Sequence, residues 1–455
     1  HHYNMNDNLM GSDEELKKEQ SNKRKVNLII IIASIVCLVL LVILLIIFIP
    51  RIRSANQTYS FVFINDIHLD PYYIENGSPD DYCRNATNLV STSFKYGQYG
   101  CDTPNATFQS MLKAIPKFVK NPKFIVYGGD MPAHAIGLNR TEHVKFIDNA
   151  LEKIKHMFPG DVPVLFDIGN NDYKNNYGSF DTDIEDFQLF SEMKSLTFQN
   201  EDALNSFLRG GYSYYDNKEM NVRVFTLNTV IYTLKREYKE GDPYGQFGWL
   251  AKKIEEAQSK KMTVIVTMHV PPGYSYIDLK QGWYTGYIPY YDSIIKKYNV
   301  QYTLSGHSHL DMLMPVFGTT GESKGYVLSS PAISMQHGNN PAFRIFKYKG
   351  GKIVDMEQYY ADIMMNPKEL DWKLEYKFSN AYNAKDLGRQ SVLDAVKYST
   401  ETSEGKWKYY EKLTAYAINN GKFFYCVLKA TTAEQAKKCM SQLTKTDHPL
   451  TPYDE

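Results

Sequence analysis

The sequence predicts an α/β fold, and three observations carry that expectation. Short apolar runs rich in β-branched residues alternate with helical periodicity between Tyr59 and about Ile363. Five of the runs (FVFIN, KFIVYG, VPVLFDI, TVIVTM and VQYTLS) lead into a segment carrying metal-binding side chains. The stretches Phe108–Lys120 and Phe247–Gln258 have helical character, and alternation of this kind implies a layered domain. Val222–Asn228 and Ala342–Tyr348 supply further strands.

Taken in order, the first element is an uninterrupted apolar run, Leu28–Ile49, without a charge. Its length spans the hydrocarbon core of a bilayer. It exceeds the usual 7–15-residue core of a signal peptide and lacks a small-residue cleavage site, so a retained anchor is favoured over a cleaved leader. Lys17, Lys18, Lys23, Arg24 and Lys25 precede it, while only Arg51 and Arg53 follow closely. The positive-inside rule then places the N-terminus in the cytosol and the rest outside it. Glycosylation acceptors at Asn56, Asn85, Asn105 and Asn139 all lie beyond the anchor, with Asn76 a weaker fifth, which points to a secretory compartment. Outside the anchor, which holds Cys37, the cysteines are Cys83, Cys101, Cys426 and Cys439. Three pairings are possible, and the local one (Cys83 with Cys101, Cys426 with Cys439) encloses the shortest loops.

The segments after the five strands read Asp66-Ile67-His68, Gly129-Asp130, Gly169-Asn170-Asn171-Asp172, His269-Val270-Pro271-Pro272 and Gly306-His307-Ser308-His309. Ligands in open α/β sheets gather at the carboxyl ends of strands, so these segments are candidates for one shared site. Its ligands would be Asp66, His68, Asp130, Asn170, His269, His307 and His309, a mixture of carboxylate, amide and imidazole without thiolate that suits borderline divalent cations such as zinc, manganese or iron. Seven ligands exceed the need of one tetrahedral ion. A carboxylate at Asp130 bridging two ions accounts for the excess, and a pair of metals about 3.5–4 Å apart suits phosphoryl chemistry. A lone Asp-x-His or His-x-His is common in loops, and a lone histidine is more often packed in a core; the joint order makes the case. His143 and His156, on an amphipathic stretch, read as packing or solvated residues, His337 as a possible pocket residue, and His1, His2 and His448 as residues without a role.

In that order, D-x-H, GD, GN, H-V-P-P and G-H-x-H resemble the calcineurin-like metallophosphoesterases, over roughly Tyr59 to Asp311. Finer segments are similar to the acid sphingomyelinase-like phosphodiesterases: Gly129 to His134 (G-D-M-P-A-H), Cys101 to Pro104 (C-D-T-P) and Asn340 to Arg344 (N-P-A-F-R). The resemblance implies two mixed β-sheets flanked by helices and two divalent metal ions, zinc first among them. It implies Asp66, His68, Asp130 and His309 around one ion, and Asp130, Asn170, His269 and His307 around the other. It also implies His134 beside the substrate, stabilising the transition state or protonating the leaving oxygen.

One position departs from that pattern. Where the family reads G-N-H, this chain has Asn171, which can donate a hydrogen bond but cannot deliver a proton. General acid help is typically worth about 10²–10⁴-fold and matters most for basic leaving groups. The expected substrates are phosphodiesters or phosphoanhydrides of nucleotide or phospholipid head-group type, with a bias toward phosphoanhydrides and activated diesters over sphingomyelin itself. The same G-N-N-D also resembles endopolyphosphatases, an alternative that the lack of a dense basic run disfavours. A surface receptor that keeps the fold without the chemistry is the competing reading from another class.

The composition agrees with an anchored hydrolase. With 51 basic and 51 acidic residues in 455, the formal charge is zero, and nothing argues for a nucleic-acid polymer as partner. The 36 tyrosines read as core and interface filler, with Tyr274 and Tyr276 as candidates for stacking on a substrate. From Pro367 onward, segments such as SVLDAVKYST and AEQAKKCMSQL look helical. The expected organisation is a cytosolic tail over 1–27, a transmembrane anchor over 28–49, a stalk over 50–58, a catalytic domain over 59–365 and a helical subdomain over 366–455.

Overall fold

The computed structural model describes residues 7–273, 282–317, 323–363 and 367–402, with a few isolated positions up to Lys438. Tyr274, Tyr276, Cys426, Cys439, His1, His2, His448 and, apart from Lys438, the segment 433–443 lie outside the described residues. The chain forms two units, His1–Gln57 and Thr58–Glu455.

The first unit is one helix, α1 (Asp7–Asn56). An 18-residue window within its stretch Lys17–Leu44 has a mean hydropathy of 3.3, and the helix is long and apolar enough to cross a membrane. From Leu28 to Leu44 aliphatic side chains cover every face, so no stripe is left for water there. The expected stalk continues this helix as far as Asn56.

The second unit carries the strands β1 (Tyr59–Ile64), β2 (Leu69–Asp70), β3 (Thr103–Pro104), β4 (Ile125–Tyr127), β5 (Val164–Phe166), β6 (Ser213–Asn217) and β7 (Val222–Leu227). They are followed by β8 (Thr263–Met268), β9 (Tyr302–Ser305), β10 (Met312–Phe317), β11 (Ser323–Ser329), β12 (Ala342–Lys349), β13 (Lys352–Ala361) and β14 (Trp372–Lys377). Its helices are α2 (Asn105–Phe118), α3 (Arg140–Lys155), α4 (Asp183–Ser191), α5 (Glu201–Gly210), α6 (Gln246–Ser259), α7 (Ile288–Lys297), α8 (Phe378–Tyr382) and α9 (Arg389–Glu401).

Two six-stranded mixed sheets form, ordered β14-β13-β12-β1-β4-β5 and β10-β11-β9-β8-β7-β6. In the first, β1, β4 and β5 run parallel; in the second, β7, β8 and β9 do. These central strands are buried along nearly their whole length, as Phe61 to Ile64 and Val222 to Leu227 illustrate, which is why they read as continuous apolar runs rather than alternating ones. One hydrophobic cluster joins both sheets, and the hydroxyl of Thr267 on β8 donates to Asp167, just past β5, across them (2.8 Å).

The segment expected to be helical from 366 begins with a strand instead. Trp372 and Tyr376 on β14 are both buried and the strand pairs antiparallel with β13, so a boundary at 365/366 would cut through a sheet. The helices α8 and α9 follow, the latter covering SVLDAVKYST.

Candidate metal centre

All five ligand segments leave the carboxyl ends of parallel strands: Asp66 and His68 after β1, Asp130 after β4, Asn170 after β5, His269 after β8, and His307 and His309 after β9. Backbone bonds lace the loops together, Asp66 N–H donating to Gly129 O (2.9 Å) and His68 N–H to Asp130 O (3.0 Å). Asp66, His68, Asp130, His307 and His309 all have left-handed backbone, with φ between 44° and 68°. Such conformations cost on the order of 1–3 kcal/mol each in non-glycine residues, and the surrounding packing must impose them. Two glycines are obligatory for the same crowding. A Cβ on Gly169 would lie 2.2 Å from Asp130 Oδ1, and one on Gly129, at φ +95°, would lie 2.5 Å from His269 Nδ1.

The donor atoms converge. Asp66 Oδ1 lies 3.5 Å from His309 Nε2 and 3.9 Å from both His68 Nε2 and His269 Nε2. His68 Nε2 and His309 Nε2 are 3.1 Å apart, as are His269 Nε2 and Asn170 Oδ1. Asp130 faces both groups, with Oδ2 3.5 Å from His68 Nε2 and Oδ1 3.4 Å from His269 Nε2. Asp66, His68 and His309 make one compact set, and Asp130, His269 and His307 another. Edges of a tetrahedral shell built on bonds of about 2.0–2.2 Å run to about 3.3–3.6 Å, so these separations suit coordination.

Electrostatics give the same answer. Asp66 Oδ1 is buried and accepts no hydrogen bond, a position that calls for a cation. Burial pushes the Asp66 carboxyl up to about 7, against the pull of His269. Burial also raises Asp130, but the charge and hydrogen bond of His269 outweigh it and hold that carboxyl well below the usual range. Burial and neighbouring imidazoles bring His68 down to about 4 and His307 to about 3, and hold His309 well below the ordinary histidine value. These three are neutral, the form that ligates a metal. His269 is raised to about 10 because Asp130 and Asp66 overcome its burial, which marks the demand for positive charge at that point. The donor set, the orphaned oxygen and the spacing all fit divalent ions.

A second layer of residues orients the donors. Gly128 O accepts from His269 Nδ1 (2.7 Å) and Pro132 O from His68 Nδ1 (3.1 Å), which turns each Nε2 inward. Asn170 donates from Nδ2 to Asn176 Oδ1 (2.8 Å), leaving its Oδ1 toward His269. Asp172 accepts from the backbone N–H groups of Gly169, Asp130 and Met131 at 2.7–2.9 Å.

Asn171 clamps Asp130: its backbone N–H donates to Asp130 Oδ1 (2.7 Å) and its Nδ2 to Asp130 Oδ2 (2.8 Å). His143 is buried on α3 and donates from Nε2 to Asn171 O (3.0 Å), behind that clamp, whereas His156 is exposed. His337 packs edge-on against His309, ring centroids 4.4 Å apart, where burial lowers it to about 4.

His134 stacks on His68 with ring centroids 4.3 Å apart. Its Nδ1–H is shared by both oxygens of Asp102 (3.1 Å each), and its backbone N–H donates to Asp102 Oδ2 (2.9 Å). Burial disfavours the imidazolium, but the Asp102 hydrogen bond and charge prevail and raise the His134 pKa. Nε2 is then the nitrogen with which His134 can meet a substrate oxygen. Asp102 and Asp172 went unassigned in the sequence; the only signal was their place in C-D-T-P and G-N-N-D. Cys83 and Cys101 form the expected disulfide.

Comparison with known proteins supplies the family. Residues 59–311 match the calcineurin-like phosphoesterases, and residues 326–430 match the acid sphingomyelin phosphodiesterase C-terminal region. Sphingomyelinase phosphodiesterase C of Dictyostelium discoideum is 28% identical over 369 residues, covering 74% of this chain and 80% of the relative. The cyclic GMP-AMP phosphodiesterase of Mus musculus is 29% identical over 384 residues, covering 77% and 83%. Acid sphingomyelinase-like phosphodiesterase 3b of Mus musculus is 27% identical over 373 residues, covering 75% and 80%. With more than half of its length matched and the two-sheet fold in place, the chain belongs to the calcineurin-like phosphoesterases, in their acid sphingomyelinase-like phosphodiesterase branch.

Proposed function

We propose that this chain is a two-metal phosphodiesterase, anchored by α1, that hydrolyses nucleotide-type phosphodiester or phosphoanhydride bonds outside the cytosol. The observation that carries the reading is Asp130, whose two oxygens face two different histidine groups. Asp66, His68, Asp130 and His309 would hold one ion, and Asp130, Asn170, His269 and His307 the other; imidazole with carboxylate favours zinc. Bound there, divalent ions supply Lewis-acid polarisation of a phosphoryl oxygen and a nucleophile drawn from water near neutral pH.

The protein's own part is positioning and proton delivery. His134 donates from Nε2 to the departing oxygen, while Asp102 fixes the ring through Nδ1 and balances the imidazolium. Asn171, engaged with Asp130 and unable to give a proton, leaves His134 as the single acid at the leaving group. That favours weakly basic leaving groups. Two of the relatives are named for nucleotide or sphingomyelin diesters, and the match to the acid sphingomyelin phosphodiesterase C-terminal region supports diesters over polyphosphate. The basic residues before the apolar stretch, the disulfide and the exposed Asn85, Asn105 and Asn139 support an extracytosolic, glycosylated catalytic unit.

The test is a substrate panel on the full chain in detergent, loaded with zinc or manganese. An aryl phosphodiester and ATP are expected to turn over at least about tenfold faster than sphingomyelin, within the reach of general acid help. Sphingomyelin as the best substrate would refute the bias. Asp130→Ala should lose both ions and hydrolysis, and full activity in that variant would refute the shared-carboxylate reading.

A further inference from the structure

Arg84 takes no part in the site as described, yet it stands directly behind His134. Its Nε donates to Asp70 Oδ2 (2.7 Å), its Nη1 to His134 O (2.6 Å) and its Nη2 to Asp102 Oδ2 (3.4 Å). The side chains of Asp70 and Asp102 are fully buried and that of Arg84 is only 16% exposed. One guanidinium therefore grips both the main chain of His134 and the carboxylate that aims its ring. A planar fork makes these contacts together; the point charge of a lysine cannot.

The backbone that delivers Arg84 is itself constrained. Tyr82 and Cys83 are consecutive non-glycine residues with left-handed backbone, φ 54° and 60°. The Cys83–Cys101 disulfide spans an 18-residue separation and is followed on its two sides by Arg84 and Asp102. One covalent staple thus fixes both partners of the contact, and backbone strain held in this way clusters at functional sites. A purely structural ion pair would not need a third bond to the carbonyl of a proposed catalytic residue.

We propose that Arg84 is a positioning residue for His134, locked in place by the Cys83–Cys101 disulfide, and that it acts on departure of the leaving group through His134 alone. The inference rests on the reading that His134 protonates the leaving oxygen.

Aryl phosphodiesters of graded leaving-group pKa, assayed on the metal-loaded full chain, test it. Arg84→Ala is expected to lower kcat by about 10–100-fold on the poorest leaving group, within the range of general acid help, and by less than about threefold on the best. Elemental analysis should find the metal content unchanged. Arg84→Lys should show a milder form of the same pattern, and serves if the alanine variant fails to fold. In a His134→Ala background, Arg84→Ala should change kcat by less than about twofold, because coupled residues are not additive. Equal loss on every leaving group, loss of metal, or a further drop in the His134→Ala background would overturn the proposal. So would an Arg84→Lys enzyme with the wild-type leaving-group dependence. A fully active His134→Ala enzyme would instead refute the acid role, so the two failures are distinguishable.

Discussion

At the scale of the residue, Asp130 is built in from three directions. Asp172 binds its backbone N–H, Asn171 binds both of its carboxylate oxygens, and Gly169 leaves just enough room beside Oδ1. Gly169 does not have a left-handed φ, so the demand there is steric alone. A methyl at that position would sit 2.2 Å from Asp130 Oδ1 and 2.3 Å from its nitrogen. Gly169→Ala should weaken metal binding by about 10–100-fold, the usual consequence of disturbing a ligand's support, with the far-ultraviolet spectrum unchanged. A metal titration checks it, and wild-type affinity would show that the close approach is dispensable. The ligands themselves were legible in the sequence because each follows a strand-like run. The roles of Asp102, Asp172 and Asn171 were not, because a hydrogen-bond partner 32 or 41 residues away leaves no local signal.

At the scale of the element, α3 and α4 hold the flank behind the Asn171 turn. Asn139 starts α3 with a capping box, its side chain accepting from Glu142 N–H while Glu142 reaches back to the Asn139 N–H. Arg140, the first residue of α3, pairs with Asp186 on α4 at 3.2 Å and with Glu185. Burial outweighs the attraction of Arg140 and raises the Asp186 carboxyl to about 6, so the folded chain binds that proton more tightly than the unfolded chain does. Between about pH 4 and pH 6 unfolding releases the proton, and the contribution of Asp186 to stability is lost as pH rises. The melting temperature of the wild type should therefore fall relative to Asp186→Asn across that interval, by several degrees. Parallel melting curves at pH 4, 5, 6 and 7 decide it; a constant gap would refute the account. The strands β1, β4, β5, β7, β8, β9 and β12 and the helices α2, α3, α6 and α9 were readable from periodicity, whereas β14 was not. Its short run WKLEYK buries Trp372 and Tyr376 but exposes Leu374, so it lacks a strand's alternation and is recognisable only once β13 pairs with it.

At the scale of the whole molecule, the chain divides between Gln57 and Thr58. All seven proposed ligands, His134, Asp102, Arg84 and the disulfide lie in the second unit. A chain beginning at Thr58 should fold, bind metal and hydrolyse a soluble aryl diester with kcat within about twofold of the full chain, because the reaction's barrier is set by groups within that unit. It should also stay in solution without detergent. Loss of metal binding on removing 1–57 would show that the first unit supports the centre. By itself, the sequence determined the kind of fold, the apolar helix, the donor types and the strand ends from which they project, because periodicity and local chemistry are written over a few residues. Only the tertiary structure decided which donors face one another, that Asn171 clamps Asp130, and that Asp102 and Arg84 stand behind His134. Those facts depend on the register of two sheets and on strained loops, and such contacts between distant segments exist only once the core has packed.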